Sequence, residues 1–316
     1  MTYFLLFFGI VILVIGGELL VQSAISLNNK FKLSPLLIGT TVVSFGTSAP
    51  ELIVSIQAML NGNSSVAVGN VVGSNIANLG LVLGFVILLK PLTINWRKYL
   101  LSYLIMFFSA ALFWVFSHDG NIDKFEGLFL LFGLLVFLFL SIRYMKILYK
   151  NDRSLVRDEL TPELKTNLNT KWMLIYFVLG SIGLALGSEL LVQNAVLVAT
   201  EFGVSEFVIG LSIVALGTSL PELITSLVAI YKGENSISIG NLIGSNIFNV
   251  FAVIGASSLI GDMPVSQDVF HFDLIVMLLF VLFAGYLIFI LKKMSRIHGV
   301  ILLITYVLYI VYSISN

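Results

Sequence analysis

The sequence lacks cysteine altogether, which excludes disulfides, thiolate nucleophiles and sulfur-ligated metal centres together. Histidine is almost as scarce. His118, His271 and His298 stand far apart, with no HExxH or other ligand-spaced cluster, so a transition-metal site has little to be built from. Charge is the third shortage. Only 11% of the 316 residues are charged, against roughly 25% in an ordinary soluble domain. Seventeen basic and seventeen acidic residues cancel, and 58% of the chain is hydrophobic, with a mean hydropathy of +1.04. A water-facing surface cannot be made from so few charges, which argues against a soluble enzyme or a nucleic-acid binder. The first twenty-one residues carry no basic stretch and no small-x-small cleavage signal, so they read as a first membrane span.

Long apolar runs fill the space left by these absences. Ten segments lie near 3–27, 35–61, 66–89, 99–117, 125–147, 172–198, 206–231, 237–260, 272–291 and 299–314. Each is near the ~20 residues a helix needs to cross hydrocarbon, and none shows the short alternating pattern of a barrel strand. The fold class expected is an all-α polytopic membrane protein of ten transmembrane helices. The odd-numbered connections and their flanks hold sixteen of the seventeen Lys and Arg, and the other side has Lys124 alone. By the positive-inside rule the odd connections are expected in the cytoplasm and both termini outside. Trp96, Trp114 and Trp172 fall near span ends, as interface anchors do.

A duplication lies beneath the spans. Residues 34–84 align without a gap on 205–255, with 24 of 51 positions identical, and GGELLVQ at 16–22 parallels GSELLVQ at 187–193. Shared apolar composition would match Leu to Ile, but would not place Pro50 on Pro221 or Asn75 on Asn246. Five spans separate equivalent points. Five is odd, so the halves cross the membrane in opposite senses, the inverted-repeat architecture of many secondary transporters. The expected organisation is a first five-helix repeat at 1–147, a cytoplasmic linker at 148–171 with a short surface helix, and a second repeat at 172–316.

Four carboxylates, Glu18, Glu51, Glu189 and Glu222, fall within apolar spans. An ionised group in mid-membrane costs about 2.5–3.5 kcal/mol even on insertion scales. No Lys or Arg lies in the second, third, seventh or eighth span to offset Glu51 or Glu222, so the counter-charge must be a proton or a bound cation. Glu51 follows FGTSAP and Glu222 follows LGTSLP. The proline and nearby glycine predict a kink or break in each helix, freeing carbonyls around Thr47, Ser48, Thr218 and Ser219. GNVVGSNIAN and GNLIGSNIFN put Asn70, Ser74 and Asn78, and again Asn241, Ser245 and Asn249, at i, i+4 and i+8. Glycines 69, 73, 240 and 244 in the same elements permit close helix packing. A shell of carboxylate, carbonyl, hydroxyl and amide oxygens suits Ca²⁺, and Na⁺ accepts the same oxygens with less charge. Each Ser and Asn has packing as its alternative role. Glu18 and Glu189 stay open between ion ligands and groups hydrogen-bonded to a neighbouring helix.

GTSAPE and GTSLPE, each followed by GNxxGSNIxN, resemble the alpha-repeats of the cation/calcium exchanger superfamily, most closely its prokaryotic sodium/calcium exchangers. The resemblance implies electrogenic exchange of several Na⁺ for one Ca²⁺ by alternating access. It implies ions held among the second, third, seventh and eighth helices while the first and sixth slide across them. By position, Glu51 and Glu222 would be the shared carboxylates, and Thr47, Ser48, Thr218, Ser219, Ser74 and Ser245 would add oxygens. Asn78 and Asn249 would occupy equivalent places in the two halves. Some relatives carry an aspartate at the place of Asn249, so this chain has two central acids instead of three. Proton- and potassium-coupled relatives keep the coupling ion open. The expected partners are Ca²⁺, Na⁺ and membrane lipid, with no cofactor and no nucleic acid, in a monomeric transporter. A cation channel is the alternative from another class. An enzyme is disfavoured by the lack of a nucleophile–base pair.

Overall fold

The computed structural model describes residues 2–151, 168–202 and 215–315. Within them the chain is helical almost throughout, because only a helix or a closed barrel satisfies its own backbone groups in hydrocarbon. The helices are α1 (Thr2–Phe31), α2 (Pro35–Leu60), α3 (Ser64–Leu89), α4 (Trp96–Phe116), α5 (Lys124–Asn151), α6 (Thr170–Glu201), α7 (Leu220–Tyr231), α8 (Asn235–Ser258), α9 (Val269–Leu291) and α10 (Arg296–Ser315). Among the described residues, all except α7 are long and apolar enough to span a membrane. The seventh expected span, 206–231, is described only from residue 215 onward, as a turn of helix at Ala215–Thr218 followed by α7. The surface helix expected in the linker falls on residues outside those described.

Burial sorts the helices into layers. In the most apolar window of α8, 94% of residues are buried, and in that of α3 78%, against 17–22% for α5, α6 and α10. The GNxxGSN helices therefore form the centre of the bundle, where Ser74, Asn75 and Asn78 of α3 and Asn241, Ser245, Asn246 and Asn249 of α8 are buried. Gly240 and Gly244 let α8 approach Gly39 and Thr40 of α2: a Cβ on Gly244 would lie 2.5 Å from the Thr40 carbonyl oxygen. The symmetry-related contact of Gly69 and Gly73 would fall on residues 210–211, outside those described.

Two short β-bridges expose the duplication beyond the aligned motifs. β1 (Leu92–Thr93), between α3 and α4, pairs antiparallel with β4 (Lys293–Met294), between α9 and α10. β2 (Asn121–Ile122), between α4 and α5, pairs with β3 (Met263–Pro264), between α8 and α9. β1 and β3 stand 171 residues apart, the offset of the sequence repeat. One bridge ties the halves together at each end of the bundle, which is what an inverted repeat produces.

The expected helix distortion is found in a different form in each half. Residues Ser44–Leu60 stay helical through Pro50, so the break expected there is absent. Pro50 still cannot donate to the Gly46 carbonyl, and an acceptor is freed without a break. The irregularity of α2 lies earlier, in a π-turn at Gly39–Val43. In the second half the break is real. Ser219 (φ −93°, ψ 4°) separates the turn 215–218 from α7, and Pro221 sits in the first two positions of the new helix, where its missing N–H costs nothing. Further π-turns open at Asn78 in α3 and at Asn249 in α8, a rare geometry that collects at functional sites.

α1 and α6, equivalent in the repeat, cross the bundle as an antiparallel pair. Ser23 donates to the Met173 carbonyl at 2.9 Å, and Lys30 donates to the Thr170 hydroxyl. Their backbones touch. A Cβ on Gly16 would lie 2.7 Å from the Leu184 nitrogen, and one on Gly180 2.7 Å from that of Leu20. Small residues allow this approach and nothing larger fits. Gly16→Val is therefore expected to destabilise the bundle by about 1–3 kcal/mol, read as a lower thermal midpoint in detergent. Val14→Leu, on the exposed side of α1, should leave the midpoint unchanged.

Candidate ion-binding site

The turns around Pro50 and Pro221 and the middles of α3 and α8 meet at the centre of the protein. Glu51 is 1% exposed and Glu222 0%, and their carboxyl groups are near enough to act on each other electrostatically. Ser48 donates to Glu222 Oε1 at 3.3 Å. The Thr47 hydroxyl lies 3.1 Å from Asn241 Oδ1 and 3.2 Å from Ser245 Oγ. Ser74 Oγ lies 3.4 Å from Thr218 Oγ1. Each of these contacts joins one half of the chain to the other. The structure therefore brings Thr47, Ser48, Glu51, Glu222 and Ser245 together, and Ser74 with Thr218 repeats the Thr47–Ser245 contact at the equivalent positions of the other half.

Several polar atoms in this region have no hydrogen-bond partner. Both Glu51 carboxylate oxygens, Glu222 Oε2, Ser219 Oγ, Asn249 Oδ1 and both polar atoms of the Asn78 amide are buried without a hydrogen-bond partner. A buried polar atom left unpaired costs ~1–3 kcal/mol, more when charged, so a concentration of them calls for a ligand. Because nearly all are oxygens, that ligand is electropositive. Among the described residues no group of three His, Cys, Asp or Glu stands where it could hold a metal ion. The fixed charge of the site is thus the two glutamates, and hydroxyls and amides complete it. Two grooves on the described residues, of about 510 Å³ between α9 and α10 and about 540 Å³ beside β1, contain neither glutamate.

Asn70 and Asn241 have a supporting part. Asn70 Nδ2 donates to Ser55 Oγ at 3.0 Å and to the Glu51 carbonyl at 3.2 Å. Asn241 Nδ2 reaches Ser226 Oγ at 3.3 Å, the same contact in the other half. These amides clamp α3 to α2 and α8 to α7. Sequence spacing had not revealed the link between Asn249 and Asn75, whose side chains bond at 3.1 Å. Thr225 is likewise fully buried, with an unpartnered hydroxyl.

Glu18 and Glu189 do not join the cluster. Glu18 accepts from Gln22 at 2.5 Å and pairs with Lys232 at 2.6 Å, and Glu189, exposed on α6, accepts from Gln193 at 3.0 Å. Glu18 is held by its own helix and by Lys232, and Glu189 by its own helix.

A family model described as sodium/calcium exchanger protein matches residues 1–143 and again 172–315. The chain belongs to the sodium/calcium exchanger family. Similar to it are the putative antiporter CaxA of Alkalimonas amylolytica, 37% identical over 95% of both chains, and the sodium/calcium exchanger MaX1 of Methanosarcina acetivorans, 33% identical over 98% of this chain and 97% of its own. Among solved structures, the sodium-calcium exchanger NCX_Mj soaked with zero Na⁺ and Ca²⁺ superposes with a TM-score of 0.78, at 28% identity over 98% of each chain. As a secondary transporter of this family, the chain is not an enzyme.

Glutamine keeps the size of glutamate and removes its charge. Glu51→Gln and Glu222→Gln are each expected to weaken Ca²⁺ binding by about a hundredfold, ~2.7 kcal/mol, measured by calorimetry on the purified protein. Glu189→Gln, outside the cluster, should leave it within about twofold.

Proposed function

We propose that this protein is a sodium/calcium antiporter working by alternating access, with the cluster around Glu51 and Glu222 as its ion site. The observation that carries this is a pair of buried carboxylates, contributed by symmetry-related elements and provided with acceptor oxygens but, among the described residues, no cationic side chain. Thr47, Ser48, Ser74, Asn78, Thr218, Ser219, Ser245 and Asn249 complete the ligand set. The relatives named as antiporter and sodium/calcium exchanger support the same assignment over nearly the whole chain.

Exchange follows from charge. With the site empty, two bare negative charges would have to cross low-dielectric surroundings when access switches, at a cost of several kcal/mol. One Ca²⁺, or two Na⁺, cancels them and removes that barrier. The protein therefore changes sides loaded, and one ion leaves only as another replaces it. A third Na⁺ makes the cycle electrogenic. The second reading, proton/calcium exchange, draws on Asn249: with two acids rather than three, two protons neutralise the site as well.

The orientation of the positive-inside count goes with this function: termini outside and the 148–171 linker in the cytoplasm, with repeats 1–147 and 172–316 exchanging conformations around the site in a cell membrane. Radioactive calcium uptake into proteoliposomes separates the readings. Uptake is expected with Na⁺ inside and none outside, at equal pH and K⁺, and should stop when choline replaces the internal Na⁺. Uptake driven only by a pH gradient would establish the proton-coupled reading, and large single-channel currents a pore.

The two ends of the transport cycle are chemically unequal. Glu18 on α1 is held by Lys232, the residue capping α7. The equivalent pair in the repeat is Glu189 and Asn61, which cannot form an ion pair. Movement of α1 past α7 must break the bond to Lys232. The cysteine-free chain accepts spin labels at Phe31 and Tyr231, both exposed, for pulsed electron resonance. Lys232→Asn is expected to broaden that distance distribution toward longer separations; an unaltered distribution would show that the ion pair does not hold α1.

A further inference from the structure

We propose that Asn75 is a positioning residue that fixes the Asn249 amide with its oxygen, not its nitrogen, toward the ion cluster. The inference rests on the ion-site reading above. Asn75 is 1% exposed and Asn249 0%, so neither amide can turn to water for its hydrogen bonds. Asn75 Nδ2 faces the Asn246 backbone carbonyl at 3.5 Å and the Met277 sulfur at 3.6 Å. Both are acceptors only. Turning the Asn75 amide over would set its oxygen against theirs, leaving lone pairs opposed and its NH₂ elsewhere.

The orientation then propagates. With its nitrogen committed to α8 and α9, Asn75 presents Oδ1 to Asn249, and that oxygen needs a donor. Asn249 supplies Nδ2 at 3.1 Å. Its own Oδ1 is thereby turned away from α3, buried and without a protein partner. Asn249 lies one helical turn beyond Ser245, which contacts Thr47, at the start of the π-turn in α8. The polarity of the chain thus begins at a backbone carbonyl, which cannot change its role, and ends at an oxygen available to a cation.

An amide offers a cation either an attractive oxygen or a repulsive NH₂, so its orientation decides the sign of its contribution. The first half has no such relay. Asn246, the equivalent of Asn75, donates instead to Leu242 of its own helix at 2.8 Å. Asn78, the equivalent of Asn249, has both amide atoms unpartnered. One amide of the pair is therefore held by the opposite half, and the other has no such hold.

A carboxylate needs no such setting, because both of its ends are oxygens. That difference supplies the test. Ca²⁺ affinity is measured by calorimetry on the full-length purified protein for Asn75→Leu, alone and combined with Asn249→Asp, and for Asn249→Asp alone. Asn75→Leu is expected to weaken binding about tenfold when residue 249 is Asn, the size of one lost hydrogen bond. In the Asn249→Asp protein the same change should cost less than about twofold, a coupling characteristic of residues acting through each other. Equal losses in the two proteins, or no loss in either, would overturn the proposal, since packing alone is blind to which atoms residue 249 presents. Asn75→Ala, carried through the same cycle, serves if the leucine variant does not fold. Asn249→Leu separates the underlying reading: unchanged Ca²⁺ affinity there would remove Asn249 from the site, whatever Asn75 does.

Discussion

Two negative charges buried at the centre of a membrane protein constrain everything around them. Glu51 and Glu222 cannot be stabilised by lipid, and no cationic side chain is supplied to them by the helices that carry them. The surrounding residues are chosen accordingly. They are small, they carry oxygen, and they stand on α2, α3, α7 and α8, where a glycine or an amide brings backbones close. Hydrophobic burial gives no net preference for one apolar helix contact over another in a bilayer. The polar contacts at the centre, Thr47 with Asn241 and Ser48 with Glu222 among them, therefore do more to specify which helices meet than the larger apolar surfaces outside.

The duplication explains why such a site can be built at all. A single half contributes one carboxylate and one GNxxGSN helix, an incomplete shell around half the needed charge. Inversion brings the second set from the opposite direction, and the β-bridges at both ends hold the halves in register. Symmetry is then broken at particular residues. Ser44–Leu60 runs unbroken through Pro50, whereas Ser219 interrupts the helix before Pro221. Lys232 stands where the first half has Asn61. Asn249 is hydrogen-bonded to the opposite half, and Asn78 is not. A perfectly symmetric exchanger would have two states of equal energy by construction, so these differences are where a preference between them is set.

Most of the architecture was legible because bilayers make the code strict. Spans must be long and apolar, basic residues collect on one side, and a charge inside a span demands a reason. The pairing of Pro50 with Pro221 and of Asn75 with Asn246 exposed the repeat and, by counting spans, its inversion. Individual contacts were not legible. Helical spacing places Asn70 on the same stripe as Ser74 and Asn78, yet Asn70 serves Ser55 and the Glu51 carbonyl, because its neighbour across the interface is a hydroxyl on α2 and not an open cavity. Glu18 looked like Glu51 in sequence. Its difference comes from Lys232, more than two hundred residues away, which no local pattern anticipates. The π-turns at Asn78 and Asn249 have no propensity signal either, since they arise from how one helix is packed against others.

A scarcity of fixed charge at the site has a consequence for exchange itself. A third carboxylate would hold Ca²⁺ more firmly, but would leave the Ca²⁺-loaded site with a net negative charge to carry across the protein. With two acids and otherwise neutral oxygens, the Ca²⁺-bound site is neutral, and so is the site holding two Na⁺ or two protons. Between Ca²⁺ and a pair of Na⁺ or protons, discrimination must then come from the number and direction of the neutral oxygens, because total charge sets apart only the form that carries a third Na⁺. Hydroxyls can rotate to meet any of them. Amides cannot present an oxygen on both ends, and their orientation is where selectivity enters the structure.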